Sequence, residues 1–245
     1  MTSPSVLKRL SSRERAEGEA VDRRRLEVRL LAALQPTGVV PRLVDWGEDD
    51  LGPWHRMEHV ALPTLAERLE HGGPFAIDWI ERVVPVALES LARLHEASDA
   101  AGPLALVHGD LSPANLGIDD DGSRVVVLDF DLALWRGAPA RTDGAFRGTI
   151  GYAAPEVARG EPPTPRSDLF SLAAALLHAA TGRSPRPTSG SLPFPALLAL
   201  AAEEPLLGPE TVRDLAGRGP GHTALIRCLA HDAAARPPSA RLALA

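Results

Sequence analysis

The chain has 245 residues, 44% of them hydrophobic and 24% charged, enough apolar material for one large domain or two small lobes. Its net charge of -6, from 26 basic and 32 acidic residues, is scattered without a basic stripe, which argues against nucleic acid or a membrane as partner. The single cysteine, Cys228, excludes an intrachain disulfide and a cysteine metal cluster, and the lack of a signal-type apolar run leads to the expectation of a cytoplasmic protein.

Ser5 to Leu10 reads as a short strand, and it carries Lys8, the only lysine in the chain; every other basic side chain is arginine. From about Glu17 to Leu34, apolar Ala20, Leu26, Leu30, Leu31 and Leu34 recur at helical spacing, and Pro36 with Gly38 ends that amphipathic helix. Within it Arg23, Arg24 and Arg25, flanked by Asp22 and Glu27, read as a solvated face. Arg42 to Trp46 and Trp54 to Val60 are predicted strands around a turn over 48–53. Past Pro63 the pattern becomes helical, with Leu65 to Leu69 and then a long, largely buried helix over Ile77 to Glu96. Leu104 to Val107 and Arg124 to Leu128 are short β-type runs that flank the loop HGDLSPANLGIDDDGS. An irregular stretch follows from Phe130 to about Pro155, and from Asp168 onward the chain reads as helices with proline-rich joints. The pattern predicts an α+β fold, strand-rich over residues 1–62 and mainly helical over 63–245, the two parts meeting near Ala61 to Thr64.

The strongest chemical signal is HGDLSPAN, from His108 to Asn115, followed by VLDFD, from Val127 to Asp131. Phosphoryl transfer needs an acceptor for the proton of the attacking hydroxyl and oxygen ligands for the metal on the nucleotide phosphates. Asp110 suits the first role, Asn115 and Asp129 the second. Five residues of loop let Asp110 and Asn115 face one cleft, and a hairpin through Asp119 to Gly122 returns Asp129 to the same place. Taken singly, each could be an ordinary turn residue; together their spacing is far more specific.

On these residues the chain resembles the protein-kinase family, in particular the eukaryotic-like Ser/Thr kinases of bacteria, and the resemblance runs from Lys8 to about Arg236. It implies a bilobal fold, ATP and Mg²⁺ as cofactors and a protein or peptide substrate. By that likeness Asp110 is the catalytic-loop aspartate in a motif opened by His108, Asn115 is a metal ligand, and Asp129 is the metal-binding residue of a D-F-G-type motif with Phe130 retained. GTIGYAAPE, from Gly148 to Glu156, resembles the end of an activation segment, which would set Thr149 beside the substrate hydroxyl near Asp110. Asp168 resembles the buried helix aspartate that braces the catalytic loop, and Arg236 the arginine that pairs with the A-P-E glutamate, here Glu156. Lys8 resembles the strand lysine that binds the α/β-phosphates and pairs with a helix glutamate, here Glu27. Met57 would then line the back of the nucleotide pocket, and Glu58 to Val60 would be the hinge that meets adenine.

The departures are as informative. No G-x-G-x-x-G occurs, and only seven residues precede Lys8, so the first two strands of the family's smaller lobe are expected to be missing. A start placed too far downstream would read the same. Such a lobe leaves the strand of Lys8 as a sheet edge open to a partner chain, and it supports an alternative reading as a pseudokinase scaffold. Gly109 replaces the arginine of H-R-D, so control through a phosphorylated loop docking there is not expected. Ser112 replaces the catalytic-loop lysine and Asp131 the glycine of D-F-G, which gives a second alternative, a small-molecule phosphotransferase of the aminoglycoside type. Aspartate tolerates left-handed backbone, so the turn at Asp131 can survive the change.

Overall fold

The computed structural model describes residues 4–11, 18–138, 146–187 and 192–243. Strands β1 (Ser5–Arg9), β2 (Leu43–Asp49) and β3 (Gly52–Glu58) form an antiparallel sheet in the order β1-β3-β2, with β1 at one edge. The β1–β3 register sets Ser5 opposite Glu58 and Lys8 opposite His55. Pairing of β2 with β3 continues through the stretch expected to be a turn and leaves only Asp50 and Leu51 outside the strands. The tight connection is possible because Asp49 Oδ1 accepts the Leu51 N–H at 3.0 Å and Gly52 adopts φ +90°.

Helix α1 (Gly18–Leu34) packs against this sheet, and Gly38 beyond it takes the left-handed conformation, φ +69°, that the sequence led one to expect of a terminator. Glu17, the expected first residue of this helix, lies outside the described residues. Leu30, Leu31 and Leu34 are buried as their spacing predicts, but the buried stripe continues through Glu27 to Arg24. Arg24 is therefore not part of a solvated face: it is 6% exposed, turned inward one helical turn before Glu27, whose carboxylate it bonds.

Helix α2 (Leu65–Glu70) starts at a capping box in which Thr64 Oγ1 accepts the Glu67 N–H and the Glu67 carboxylate accepts the Thr64 N–H at 2.7 Å. Helix α3 (Ile77–His95) follows, then the two-residue strands β4 (Ser98–Asp99) and β5 (Gly102–Pro103). The strand expected over Leu104 to Val107 does not form, because Ala105 takes φ +50° and breaks the extended run; only Val107 bridges, to Leu134. Strands β6 (Leu116–Ile118) and β7 (Val125–Val127) make the antiparallel hairpin that brackets Asp119 to Gly122. Then come α4 (Pro155–Ala158), α5 (Pro165–Thr181), α6 (Phe194–Glu203), α7 (Pro209–Ala216), α8 (Pro220–Cys228) and α9 (Ala240–Ala243). Helix α5 is buried nearly all round, from Leu169 and Phe170 through Leu176, and its alanines allow α3 and α8 to pack closely against it. Among the described residues no helix is long and apolar enough to cross a membrane.

Candidate active site

Strand alternation turns Lys8 and its neighbour His55 toward α1. Lys8 Nζ donates to Glu27 Oε1 at 2.9 Å, to Asp129 Oδ1 at 2.8 Å and to Asp131 Oδ1 at 2.9 Å, so all three ammonium N–H groups are engaged. Arg24 bonds the other oxygen of Glu27 and stands 3.5 Å from Asp131 Oδ1. Burial alone would lower the Lys8 ammonium, but Glu27, Asp131 and Asp129 outweigh it and hold it above its ordinary range. Burial pushes the Glu27 carboxyl up to about 7 against the pull of Lys8, and the charge of Asp131 pushes the same way. Burial would also raise Asp131, yet Lys8 and Arg24 leave it below the usual carboxylate range. Fully buried His55, 3.9 Å from Glu27, is lowered to about 4 by burial first and then by Arg24 and Lys8, so it stays neutral at pH 7.

The loop from His108 to Asn115 is fixed from below. Asp168, 1% exposed on α5, accepts the N–H groups of His108 at 2.7 Å and Gly109 at 2.9 Å and contacts His95 Nε2 at 2.9 Å. His95 thus contributes to the brace. His108 Nε2 lies 3.1 Å from the Leu128 carbonyl oxygen, and its ring packs against buried Phe130 with centroids 5.0 Å apart. Gly109 adopts φ +78°, and a Cβ there would approach the Leu132 carbonyl oxygen to 3.1 Å, a physical reason for glycine at this position. The left-handed residue of the DFD segment is Asp129, φ +58°, and not Asp131 as expected; aspartate bears that conformation better than most residues.

Asn115 Nδ2 donates to the Asp110 carbonyl oxygen at 2.8 Å, and the Leu128 N–H donates to the Asn115 carbonyl oxygen at 2.9 Å, which joins the loop to the strand leading into Asp129. Asp110 Oδ1 accepts the Thr149 N–H at 2.8 Å, so Thr149 reaches Asp110 through its backbone. Gly148 beside it, at φ +111°, leaves room for that carboxylate: a Cβ would come within 3.2 Å of Asp110 Oδ1. The Asn115 amide nitrogen is directed at Asp110; its side-chain oxygen and the half-exposed Asp129 carboxylate are each hard oxygen donors of the kind Mg²⁺ takes.

Next to this cluster an open cleft of about 550 Å³ is lined by Val6, Met57, Glu58, Val60, Leu128 and Asp129. The Glu58 N–H is taken by the Arg42 carbonyl oxygen at 2.8 Å and the His59 N–H by that of Pro4 at 2.9 Å. Of the expected hinge, Val60 is the residue whose N–H has no acceptor among the described residues. Farther from the cleft, Arg236 forms the expected pair with Glu156, and Ser167 Oγ donates to the same carboxylate at 2.8 Å. Sequence reasoning missed Arg24 and also Arg186, a buried cation that donates to the carbonyl oxygens of Ala153 at 2.6 Å and Ala201 at 3.2 Å. The spacing of Arg24 three residues before Glu27 was the one available signal; Arg186 gave none.

A protein-family profile described as "Protein kinase domain" matches residues 2–194. The Ser/Thr protein kinase PknL of Mycobacterium tuberculosis is 34% identical over 183 residues, which is 74% of this chain and 44% of that protein. PknA, a Ser/Thr protein kinase of the same species, is 32% identical over 193 residues, 76% of this chain and 43% of its own length. The chain thus spans less than half the length of these relatives. The structure of PK-1, the Cydia pomonella granulovirus kinase, superposes with a TM-score of 0.69 over 90% of this chain and 79% of that one, at 18% identity, a likeness of fold. With the profile covering most of the chain and the sheet, bracing aspartate and loop motifs in place, this chain belongs to the protein kinase family.

Proposed function

We propose that the chain transfers the γ-phosphate of Mg²⁺-ATP to Ser or Thr hydroxyls of a protein or peptide. The observation that supports this most is the meeting of Lys8, Glu27 and Asp129, from three separate segments, at one nitrogen beside an open cleft. Asp129 and the side-chain oxygen of Asn115 would hold the metal, whose charge would offset that of the phosphates. The Val60 N–H and the wall around Met57 would receive the adenine, with Lys8 oriented by Glu27 toward the α/β-phosphates. Asp110, steered by the Thr149 N–H, would accept the proton of the attacking hydroxyl as that oxygen bonds to the γ-phosphorus and the β–γ bridge breaks to release ADP. The Gly148 to Glu156 segment, fixed by the Glu156–Arg236 pair, favours a peptide over a small alcohol as acceptor.

The test is transfer of labelled γ-phosphate to a generic Ser/Thr peptide by the intact chain and by Asp110→Asn. The expected result is transfer by the intact chain and a rate about 10²–10⁴-fold lower in the variant, with ADP affinity retained. Equal rates in the two chains would remove Asp110 from its role, and absence of transfer by both would favour a binding module.

A further inference from the structure

Lys8 has no N–H to spare. An ammonium has three donors, and here each is bonded to a different carboxylate: Glu27, Asp129 and Asp131. A phosphate oxygen can reach Lys8 only by displacing one of them. The three are not held alike. Glu27 is buried and bonded to Arg24, and Asp131 lies 3.5 Å from the same buried guanidinium. Asp129 and Asp131 are similarly exposed, but Lys8 is the one cationic partner of Asp129 among the described residues. Asp129 is therefore the carboxylate that can leave, and a divalent cation bound to it would draw it away. Asp131, where the family motif has a glycine without a side chain, stays beside Lys8 and places a negative charge where nucleotide phosphates approach.

We propose that Asp131 is a positioning residue that makes nucleotide binding by this chain depend on a divalent cation, because it keeps one Lys8 N–H occupied and opposes phosphate until Asp129 has been drawn to the metal. The inference rests on the nucleotide site assigned above and goes beyond it in assigning Asp131. By linkage, the factor by which the cation strengthens nucleotide binding equals the factor by which nucleotide strengthens cation binding.

The experiment is calorimetric titration of the full chain with ADP, at matched ionic strength, with Mg²⁺ and with a chelator in its place. It compares the original chain with Asp131→Asn, which keeps shape and removes charge, and with Asp131→Glu, which restores charge; thermal melts of each confirm folding. The original chain and Asp131→Glu should bind ADP far more weakly without Mg²⁺. Asp131→Asn should gain metal-free affinity by about tenfold or more, as expected for one charge a few ångströms away in a half-buried site. A folded Asp131→Asn chain with the same metal-free affinity as the original would overturn the assignment of Asp131 alone. Failure of every chain to bind ADP with Mg²⁺ would remove the nucleotide site and this inference with it.

Discussion

Arg236 holds Glu156 through two parallel bonds, Nη1 to Oε1 at 2.7 Å and Nη2 to Oε2 at 2.8 Å, with the two residues 2% and 4% exposed. The guanidinium also donates to the carbonyl oxygens of Ala230, Arg166 and His231 and lies 4.8 Å from the Phe170 ring centre. Its donors are thus satisfied, and the loss of one partner would strand a buried charge. Arg236→Met should cost about 3–5 kcal/mol in urea unfolding. The double change Arg236→Met with Glu156→Gln should cost less than the two single changes added together, because neither charge is then left alone. Additive losses would show that the pair is not coupled.

The same pair sets a pH dependence. Burial would raise the Glu156 carboxyl above its ordinary 4.5, but hydrogen bonds from Arg236 and Ser167 outweigh it and bring it below that value. A carboxyl lowered in the folded state adds stability that is present above its unfolded pKa and is lost as pH falls through the folded one. Urea midpoints should therefore decline from about pH 5 downward, and Glu156→Gln should flatten that decline while lowering stability at neutral pH. An unchanged acid limb in the variant would assign the decline to other carboxylates.

Legibility in the sequence followed the locality of the signal. Asp110, Asn115 and Asp129 stood out because few residue types fit the chemistry at that spacing; the fold joins Asn115 to Asp110, and the hairpin ties the residue before Asp129 to the Asn115 carbonyl. Lys8 stood out through composition, and Glu27 followed from the family pattern. Arg24 misled because an arginine between two others reads as surface, while in the fold it is buried, bonded to Glu27 and 3.5 Å from Asp131, which is distant in sequence. The Leu104 to Val107 run was apolar enough for a strand, but the left-handed turn at Ala105 is a tertiary outcome with no local marker. Asp131 was noticed as a departure, yet only the folded chain shows its carboxylate on Lys8.

Lys8→Arg tests whether the one lysine is chemistry or chance. Three carboxylate oxygens converge on one nitrogen, at 2.8 to 2.9 Å, and a planar guanidinium spreads its donors over three nitrogens and cannot reproduce that point of convergence. Affinity for ADP with Mg²⁺ should fall at least about tenfold, roughly 1.4 kcal/mol, while the chain remains folded. Titration calorimetry reads this directly, and an unchanged dissociation constant would make Lys8 a compositional accident.

Arg186 should matter to the acceptor more than to the nucleotide. Its fork spans the Ala153 carbonyl oxygen, in the segment that follows Thr149, and the Ala201 carbonyl oxygen on α6, while the guanidinium rests 5.5 Å from the Phe170 ring centre. Burial lowers it to about 10, so it remains charged at neutral pH. A lysine offers a point charge that can satisfy one of these carbonyls well but not both in the fork geometry. Arg186→Met should lose about 1.5–3 kcal/mol of stability, the scale of a charged hydrogen bond, and Arg186→Lys less. In peptide saturation curves both variants should raise KM severalfold, while ADP affinity, assigned by the proposed function to the cleft lined by Met57, should stay as in the original chain. A matching loss of ADP affinity would mean that Arg186 supports the fold as a whole rather than the spacing between α6 and the segment that faces Asp110.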